Sequence, residues 1–177
     1  MRSPLVYIRN FIKMSCLKIR FGAGFHAGAI QTFDRLHVEI THGGKISLGS
    51  YDQNRGNLYL VCDGGKLDIG DHCFFNTGCS VSALERITIG NGCKFGNNTV
   101  IVDHDHNYKS LADDAGMVNE FISSPVCIGN DIWVGANTTI LRGSSIGNNC
   151  VIAAGSVVKG NIPDNSIYIN GTIKNIS

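Results

Sequence analysis

The hydrophobic pattern of the chain repeats every six residues over most of its length. In the carboxyl-terminal third, aliphatic side chains recur without a gap at Ile128, Val134, Ile140, Ile146, Ile152 and Val158. The same spacing occurs upstream at Ile69, Phe75, Val81 and at Ile89, Phe95, Ile101. This period differs from the values of about 3.6 for an α-helix and 2 for an amphipathic strand. It predicts a solenoid whose short flat faces turn a corner after about six residues.

Three such hexads make one coil, and one step between coils is much longer than the others. The coil starts are Leu48, Ile69, Ile89, Ile128 and Ile146. The step from Ile89 to Ile128 contains an insertion, which we place at roughly 102–125. Long loops without a repeat of their own are uncommon inside compact domains and are usually functional.

Small and turn-forming residues fill the positions around the aliphatic ones. Gly and Asn, which tolerate a positive φ, fall at the expected corners. One small inward slot is shared by Cys73, Cys79, Cys93 and Cys150. Free cysteine suits such a slot, so we expect these side chains to serve packing. The chain has seven cysteines and lacks a CxxC pair, which favours reduced thiols over a disulfide framework.

The first thirty residues lack the repeat, so we divide the chain into an N-terminal cap segment (1–30) and a solenoid domain (31–177). On a helical wheel, an apolar stripe lies beside a basic stripe. The apolar stripe contains Leu5, Ile8, Ile12 and Ile19, and the basic stripe contains Arg2, Arg9, Lys13 and Arg20. We interpret the segment as a cap on the open end of the solenoid, which repeat folds require. An interfacial amphipathic helix is the alternative. Because no acidic residue precedes Asp34, peripheral attraction to an anionic membrane surface stays open.

Composition and charge exclude several classes of protein. The hydrophobic share of 43% in 177 residues excludes an unfolded chain. A net charge of +1 gives no reason to expect nucleic acid as a partner. No apolar run approaches the ~20 residues of a membrane span. Basic residues interrupt any signal-peptide core near the N-terminus, so we expect a cytoplasmic protein.

With its run from Ile128 to Val158, the sequence resembles the hexapeptide-repeat acyltransferases over about residues 46–174. The resemblance implies an all-β fold, a left-handed parallel β-helix, assembled as a homotrimer with sites between subunits. Within the family it resembles the galactoside and maltose acetyltransferases and the polysaccharide O-acetyltransferases. These imply transfer of acetyl from acetyl-CoA, without a metal, to a hydroxyl of a sugar or glycan precursor. Surface-polysaccharide (O-antigen or capsule) biosynthesis is the implied setting.

The insertion opens with Asp103-His104-Asp105-His106-Asn107-Tyr108. Acyl transfer from a thioester to a hydroxyl needs a group that takes one proton and passes it to the leaving thiolate, which a histidine can do. Alignment with the matching coil of the galactoside and maltose acetyltransferases implies that His106 is this base, and His104 is the second candidate. Asp103 or Asp105 could orient the imidazole. We also expect Asp103 and Tyr108 to contact the acceptor.

The resemblance implies further binding residues outside the insertion. Asn76 occupies the place of an acceptor-binding asparagine, although a turn residue is also expected there. Trp133 lines the acceptor cleft or covers the outside of a coil. Small residues would let pantetheine approach the coils, and lysines would meet the coenzyme phosphates. The coenzyme candidates are Gly135, Ala136, Ala154, Lys159 and Lys174.

Other functions fit parts of the sequence. In the gamma-type carbonic anhydrases, which share this solenoid, histidines hold zinc, and His104 and His106 would point the same way in an extended segment. His72 lacks the spacing of the third ligand. A structural solenoid has no need of an Asp-His-Asp-His insertion. Serine and antibiotic O-acetyltransferases are the remaining rivals, and an amino group as acceptor stays open.

Overall fold

A computed structural model of the chain describes residues 4–107 and 120–176. The described chain begins with one helix, α1 (Pro4–Phe21), followed by a single 3-10 turn (Gly22–Gly24). The rest consists mainly of short strands that stack in parallel, and the chain turns from one face of the solenoid to the next at each corner. Within these ranges, no helix has the length and apolarity needed to cross a bilayer.

Three sheets form the faces of the solenoid. Sheet A contains β1 (Phe25–Ala27), β3 (Lys45–Leu48), β6 (Lys66–Ile69), β9 (Arg86–Ile89), β14 (Val126–Ile128), β17 (Ser145–Ile146) and β20 (Asn161–Ile162). Sheet B contains β4 (Gln53–Asn54), β7 (Phe74–Phe75), β10 (Lys94–Phe95), β15 (Trp133–Val134), β18 (Val151–Ile152), β21 (Ser166–Ile169) and the antiparallel β22 (Thr172–Asn175). Sheet C contains β2 (Arg35–Thr41), β5 (Asn57–Asp63), β8 (Cys79–Ala83), β11 (Val100–Val102), β16 (Thr139–Ile140) and β19 (Val157–Val158).

The strand register of sheet A confirms the coils that the sequence predicts. Leu48 pairs with Ile69, Ile69 with Ile89, Ile89 with Ile128, and Ile128 with Ile146. The long step between Ile89 and Ile128 is taken up by the insertion. Its described ends leave the stack as a separate antiparallel pair, β12 (His104–His106) with β13 (Phe121–Ser123).

The interior of the solenoid is a column of the predicted aliphatic, aromatic and small residues. Phe75 and Phe95 of neighbouring coils stack with ring centroids 4.7 Å apart. The cysteines of the small inward slot are buried, and their thiols contact carbonyl oxygens of the next coil. The Sγ of Cys79, for example, lies 3.1 Å from the carbonyl oxygen of Gly96. The expected packing role of these cysteines is therefore what the structure shows.

Helix α1 packs against the first coil through one face only. Met14 and Asn10 are buried there, and Asn10 Oδ1 accepts a hydrogen bond from the backbone N–H of Phe33 at 2.8 Å. This contact fits the cap interpretation. Strand β1 already pairs with β3, so the solenoid begins at Phe25, inside the segment assigned to the cap.

Candidate active site

Strand β12 presents two histidines on one face and an acid on the other. His104 and His106 lie two positions apart, and both rings contact Phe121 of β13, with centroid distances of 5.4 Å and 4.6 Å. Because side chains alternate along a strand, Asp105 points away from them. Its Oδ2 accepts a hydrogen bond from Nε of Arg142 at 2.6 Å. The histidine face is thus separated from the Asp105–Arg142 ion pair.

Asp103 is a completely buried carboxylate at the start of the insertion. The pairing of β8 with β5 and β11 places it in the inward slot that Cys62 and Ala83 fill in preceding coils. Its two oxygens accept hydrogen bonds from the backbone N–H groups of Leu84 and Glu85, each at 2.8 Å. These bonds compensate for burying a charged group.

The same carboxylate contacts the first histidine of the pair. Oδ1 of Asp103 lies 3.0 Å from Nδ1 of His104, whose side chain is 21% exposed. A carboxylate at Nδ1 favours the tautomer that carries its proton there and leaves Nε2 as the basic nitrogen. Of the two candidate acids, the one that contacts a histidine is therefore Asp103, and the histidine is His104.

This arrangement changes two of the predicted roles. Asp103 is 0% exposed, so a substrate cannot reach it, which argues against its predicted contact with the acceptor. Asp105 faces Arg142 and not an imidazole, because the alternation of β12 turns it to the opposite side. Tyr108, the third residue predicted in this segment, lies outside the described residues.

A second acid, Asp63, lies on the same edge of sheet C as His104, two coils earlier in the stack. Asp63 accepts a hydrogen bond from the Thr41 hydroxyl at 2.6 Å and contacts Nδ1 of His42. The Thr41 hydrogen bond, the His42 contact and the charge of His104 lower the pKa of Asp63 below its usual value. The edge of sheet C that carries the insertion therefore combines anionic carboxylates with imidazoles.

The remaining predicted residues lie mostly at a different corner, between sheets B and C. The strand register β7–β10–β15–β18 stacks Asn76, Gly135, Ala136 and Ala154 along this corner. Oδ1 of Asn76 accepts a hydrogen bond from the backbone N–H of Thr77 at 2.9 Å. The side chain thus stabilises its own turn, and Nδ2 is the group that it offers to a ligand.

Gly135 has a structural reason to lack a side chain. A Cβ at this position would lie only 2.7 Å from the Cα of Ala154 in the next coil, and closer still to its backbone nitrogen. The close stacking of coils therefore requires glycine here, whether or not a coenzyme approaches. Ala136 is half-buried and Ala154 is exposed, so these two residues line the open side of the same corner.

Trp133 and the two lysines lie at separate places on the surface. Trp133 is 61% exposed on the outer face of sheet B, between Lys94 and Val151 in neighbouring coils. Lys159 is exposed directly after β19, at the edge of sheet C that carries the insertion. Lys174 is exposed on β22, opposite Ile167.

One chain therefore does not bring the predicted residues together. The histidines and Lys159 lie at one edge of sheet C, whereas Asn76 and the small coenzyme candidates lie at the other. The five residues of β8 alone span roughly 15 Å between these edges. Within residues 4–107 and 120–176 of one chain, these two groups of side chains therefore do not contact each other.

Sequence reasoning missed two contacts of the insertion. Arg142 is 37 residues from Asp105 along the chain. It does not belong to the coil whose resemblance to the galactoside and maltose acetyltransferases pointed to His106. Phe121, which touches both imidazoles, lies in the return strand of the insertion. By contrast, the burial of Asp103 follows from the alternation of Val100, Ile101 and Val102, which turns every second side chain inward.

A zinc site finds no complete set of ligands in the part of the chain that the structure describes. Within residues 4–107 and 120–176, no three His, Cys, Asp or Glu side chains are grouped so that they could hold a metal ion. His104 and His106 would need a further ligand from outside these ranges.

Comparison with known families identifies the repeats. The model of the bacterial transferase hexapeptide (six repeats) matches residues 128–160, and the hexapeptide repeat of succinyl-transferase matches residues 66–102. WbbJ of Escherichia coli K12, assigned to lipopolysaccharide biosynthesis as an O-acetyltransferase, is 32% identical over 140 residues. That alignment covers 75% of this chain and 71% of WbbJ.

Solved structures share the architecture at low sequence identity. The N-acyltransferase AntD of Bacillus cereus, solved as a point mutant in complex with dTDP and coenzyme A, superposes with a TM-score of 0.71 at 17% identity and covers 92% of this chain and 87% of AntD. The hexapeptide-repeat acetyltransferase VCA0836 of Vibrio cholerae, solved with acetyl-CoA, gives a TM-score of 0.59 at 23% identity. The superposition covers 89% of this chain and 71% of VCA0836. These matches confirm the left-handed parallel β-helix.

Proposed function

This chain belongs to the hexapeptide-repeat transferase family, and we propose that it is an acetyl-CoA-dependent O-acetyltransferase. The acceptor is a hydroxyl of a sugar or glycan precursor, and surface-polysaccharide biosynthesis is the setting. The similarity to WbbJ supports the class of acceptor. The complex of VCA0836 with acetyl-CoA supports the donor. A donor of that kind is consistent with a cytoplasmic enzyme.

The observation that carries the proposal is the pair of imidazoles on one face of β12. His106 is exposed, so its ring can meet an acceptor and a thioester that arrive from solvent. His104 is held by the buried carboxylate of Asp103. Phe121 packs against both rings and limits their rotation. His106 thus has access to the substrate, and Phe121 packs it beside the imidazole that Asp103 supports.

The chemistry follows from these positions. The acceptor oxygen forms a bond to the thioester carbonyl carbon while His106 takes the hydroxyl proton. The carbon–sulfur bond then breaks, and the proton passes from the imidazolium to the leaving thiolate. The products are an acetyl ester and coenzyme A with a free thiol, and His106 returns to its neutral form. Asp103 acts as a positioning residue through His104.

The position of the candidate residues supports a homotrimer with its sites between subunits. One edge of sheet C carries the histidines, and the opposite edge carries Asn76 with the small residues proposed for pantetheine. An assembly in which the histidine edge of one chain meets the Asn76 corner of its neighbour completes each site. In this arrangement Trp133 borders the acceptor, and Lys159 and Lys174 are the cations for the coenzyme phosphates.

A second candidate is transfer to an amino group of a nucleotide-linked sugar. AntD, whose fold this chain shares with a TM-score of 0.71, is an N-acyltransferase, and the base proposed here would serve either acceptor. Serine and antibiotics are further possible acceptors, and the same experiment tests them. The experiment is release of coenzyme A from acetyl-CoA across sugars, nucleotide sugars, amino sugars, serine and chloramphenicol. Turnover with hydroxyl sugars alone supports the proposal, and turnover with amino sugars or serine alone refutes it.

A further inference from the structure

Helix α1 carries a large apolar face that points away from the solenoid. Each residue of a helix advances by about 100°, so the side opposite buried Asn10 and Met14 is formed by residues near positions 5, 8, 12 and 19. Their side chains, with that of Phe11, are the most exposed apolar groups of the described helix: Leu5 73%, Ile8 58%, Phe11 74%, Ile12 57% and Ile19 85%. We call these five residues the outer face of α1.

Basic residues flank the outer face on both sides. Arg9 and Arg20 follow one side of it along the helix, and Lys18 lies on the other. Helix α1 contains no Asp or Glu. A stripe of apolar side chains bordered by cations is the arrangement of helices that lie in the plane of a lipid surface, with their bases at the level of the headgroups.

The apolar surface continues from the helix into a cavity beside it. The cavity has a volume of about 430 Å³, and Tyr7, Phe11 and Lys18 line it from the helix. From the solenoid side it is lined by residues that include Ala29 and Ile30. Ile30 is 51% exposed and has a φ of 55°, which is unusual for a β-branched residue. Ile30 thus adds an exposed aliphatic side chain to the lining of the cavity that Phe11 also borders.

Charge decides between the possible occupants of this face. Two of the bases are partly engaged with Asp34: Arg9 forms an ion pair with its carboxylate at 3.5 Å, and Lys13 donates to its carbonyl oxygen at 2.7 Å. Lys18 and Arg20 lie beside the outer face without an acid on the helix to neutralise them. A second copy of α1 would bring like charges together, whereas an anionic lipid surface offers both an apolar layer and negative charge.

We infer that the outer face of α1 docks this protein on a membrane surface rich in anionic lipid. The inner face of the helix stays on the solenoid and covers its end, so one helix serves as cap and as membrane contact. None of the five residues of the outer face is proposed to take part in acetyl transfer, so docking can be measured separately from activity.

The test uses the full chain and vesicles, with no acetyl transfer involved. Phosphatidylcholine vesicles with and without phosphatidylglycerol are sedimented with the protein at low and high salt. We expect binding to the phosphatidylglycerol vesicles, with weaker binding at high salt because screening removes the contribution of the bases. Failure of the wild-type protein to bind these vesicles at low salt overturns the inference.

Charge-matched variants test whether α1 is the contact. Each base near an anionic surface contributes about fivefold to binding, so K18Q/R20Q weakens vesicle binding about 25-fold. The control K45Q/K66Q removes two exposed cations from neighbouring strands of sheet A and leaves binding within about twofold of the wild type when the contact is α1. Equal loss in both variants contradicts a specific role for the helix.

Apolar variants distinguish a membrane from a second copy. In I12S/I19S the helix keeps its bases and its buried face, and we expect vesicle binding to fall about tenfold or more because two buried aliphatic groups are lost. Light scattering gives the oligomeric mass of the same variant. A changed mass, combined with vesicle binding equal to that of the wild type, would show that the outer face is a contact between copies and would overturn the inference.

Discussion

The buried carboxylate of Asp103 lies 3.0 Å from Nδ1 of His104. Asp103 occupies a core slot that other coils fill with Cys62 and Ala83, and two backbone N–H groups hold its oxygens in place. The insertion is therefore anchored in the core at its first residue. This anchor fixes where β12 begins and hence where both imidazoles lie.

The first prediction concerns this anchor. Asp103→Asn replaces one carboxylate oxygen by an NH₂ group that faces a backbone donor, and leaving a buried donor unpaired costs about 1–3 kcal/mol. An amide that donates to Nδ1 also favours the opposite tautomer of His104. We expect a lower free energy of unfolding, and nitrogen chemical shifts that move the proton of His104 from Nδ1 to Nε2.

Asp105→Asn is the matched control for that variant, since Asp105 is exposed and faces Arg142 on the opposite side of β12. We expect the tautomer of His104 to stay as in the wild type. A tautomer change in Asp105→Asn, or none in Asp103→Leu, which removes the acceptor at Nδ1 altogether, would mean that Asp103 does not orient the ring.

The second prediction separates packing from coenzyme binding at Gly135. Because a Cβ there would lie 2.7 Å from the Cα of Ala154, Gly135→Ala forces neighbouring coils apart. Overpacking of this kind costs about 1–3 kcal/mol, measurable by urea unfolding. Ala154→Ser, on the exposed side of the same corner, keeps wild-type stability and reports on the KM for acetyl-CoA. Wild-type stability of Gly135→Ala would refute the packing explanation.

The third prediction is a pH dependence of stability that originates at Asp52. This side chain is 0% exposed, and its Oδ1 accepts a hydrogen bond from the N–H of Cys73 at 2.8 Å. Burial raises the pKa of Asp52 to about 7, even though the Cys73 hydrogen bond acts in the opposite direction. The folded protein therefore holds a proton over a pH range in which the unfolded chain has lost it.

The sign of the effect follows from that difference. The contribution of Asp52 is complete below the unfolded pKa of about 4 and is lost progressively as the pH rises to about 7, which amounts to roughly 4 kcal/mol. Asp52→Asn cannot lose a proton, so we expect it to reduce the fall in the free energy of unfolding between about pH 5 and pH 8 by about 3 kcal/mol. The same pH dependence in both proteins would contradict the assignment to Asp52.

The fourth prediction tests the site between subunits by complementation. Asn76→Ala and His106→Ala each remove one side of the proposed site, and we expect low activity from either variant alone. Co-expression lets the two chains mix in one trimer. If each site takes His106 from one chain and Asn76 from its neighbour, random mixing restores about a quarter of the sites.

Measured turnover of the co-expressed chains distinguishes the arrangements. Activity near the sum of the two single variants would place both residues of a site in one chain. Full activity of Asn76→Ala by itself would show instead that Asn76 only stabilises its turn through Thr77.

The solenoid was predictable because its repeat is a physical requirement at every corner. An aliphatic side chain must fill each interior corner, so the positions of Ile69, Ile89 and Ile128 predicted their pairing across coils. The insertion was visible as a break in that spacing. The same logic, carried to Asp103, would also have predicted its burial, since it continues the inward alternation of β11.

Contacts outside the repeat could not be predicted in this way. The pairing of Asp105 with Arg142 depends on how the insertion folds back across the stack. The six-residue repeat does not extend into the insertion and so does not predict this contact. The choice of His104 as the partner of Asp103 depends on side-chain rotamers at the start of β12. The distance between Asn76 and the histidines is the width of sheet C, and it depends on how the coils stack, which the repeat alone does not specify.

The turnover of His106→Ala, followed as coenzyme A release with acetyl-CoA and an accepted sugar, decides whether His106 is the base. Loss of a general base lowers kcat by about 10²–10⁴-fold, and we expect the KM for acetyl-CoA to change little because His106 is not among the residues proposed to bind the coenzyme. His104→Ala removes the histidine that contacts Asp103, and we expect it to lower kcat less than His106→Ala does. If His106→Ala keeps wild-type turnover, His106 is not the base and the proposed mechanism is wrong.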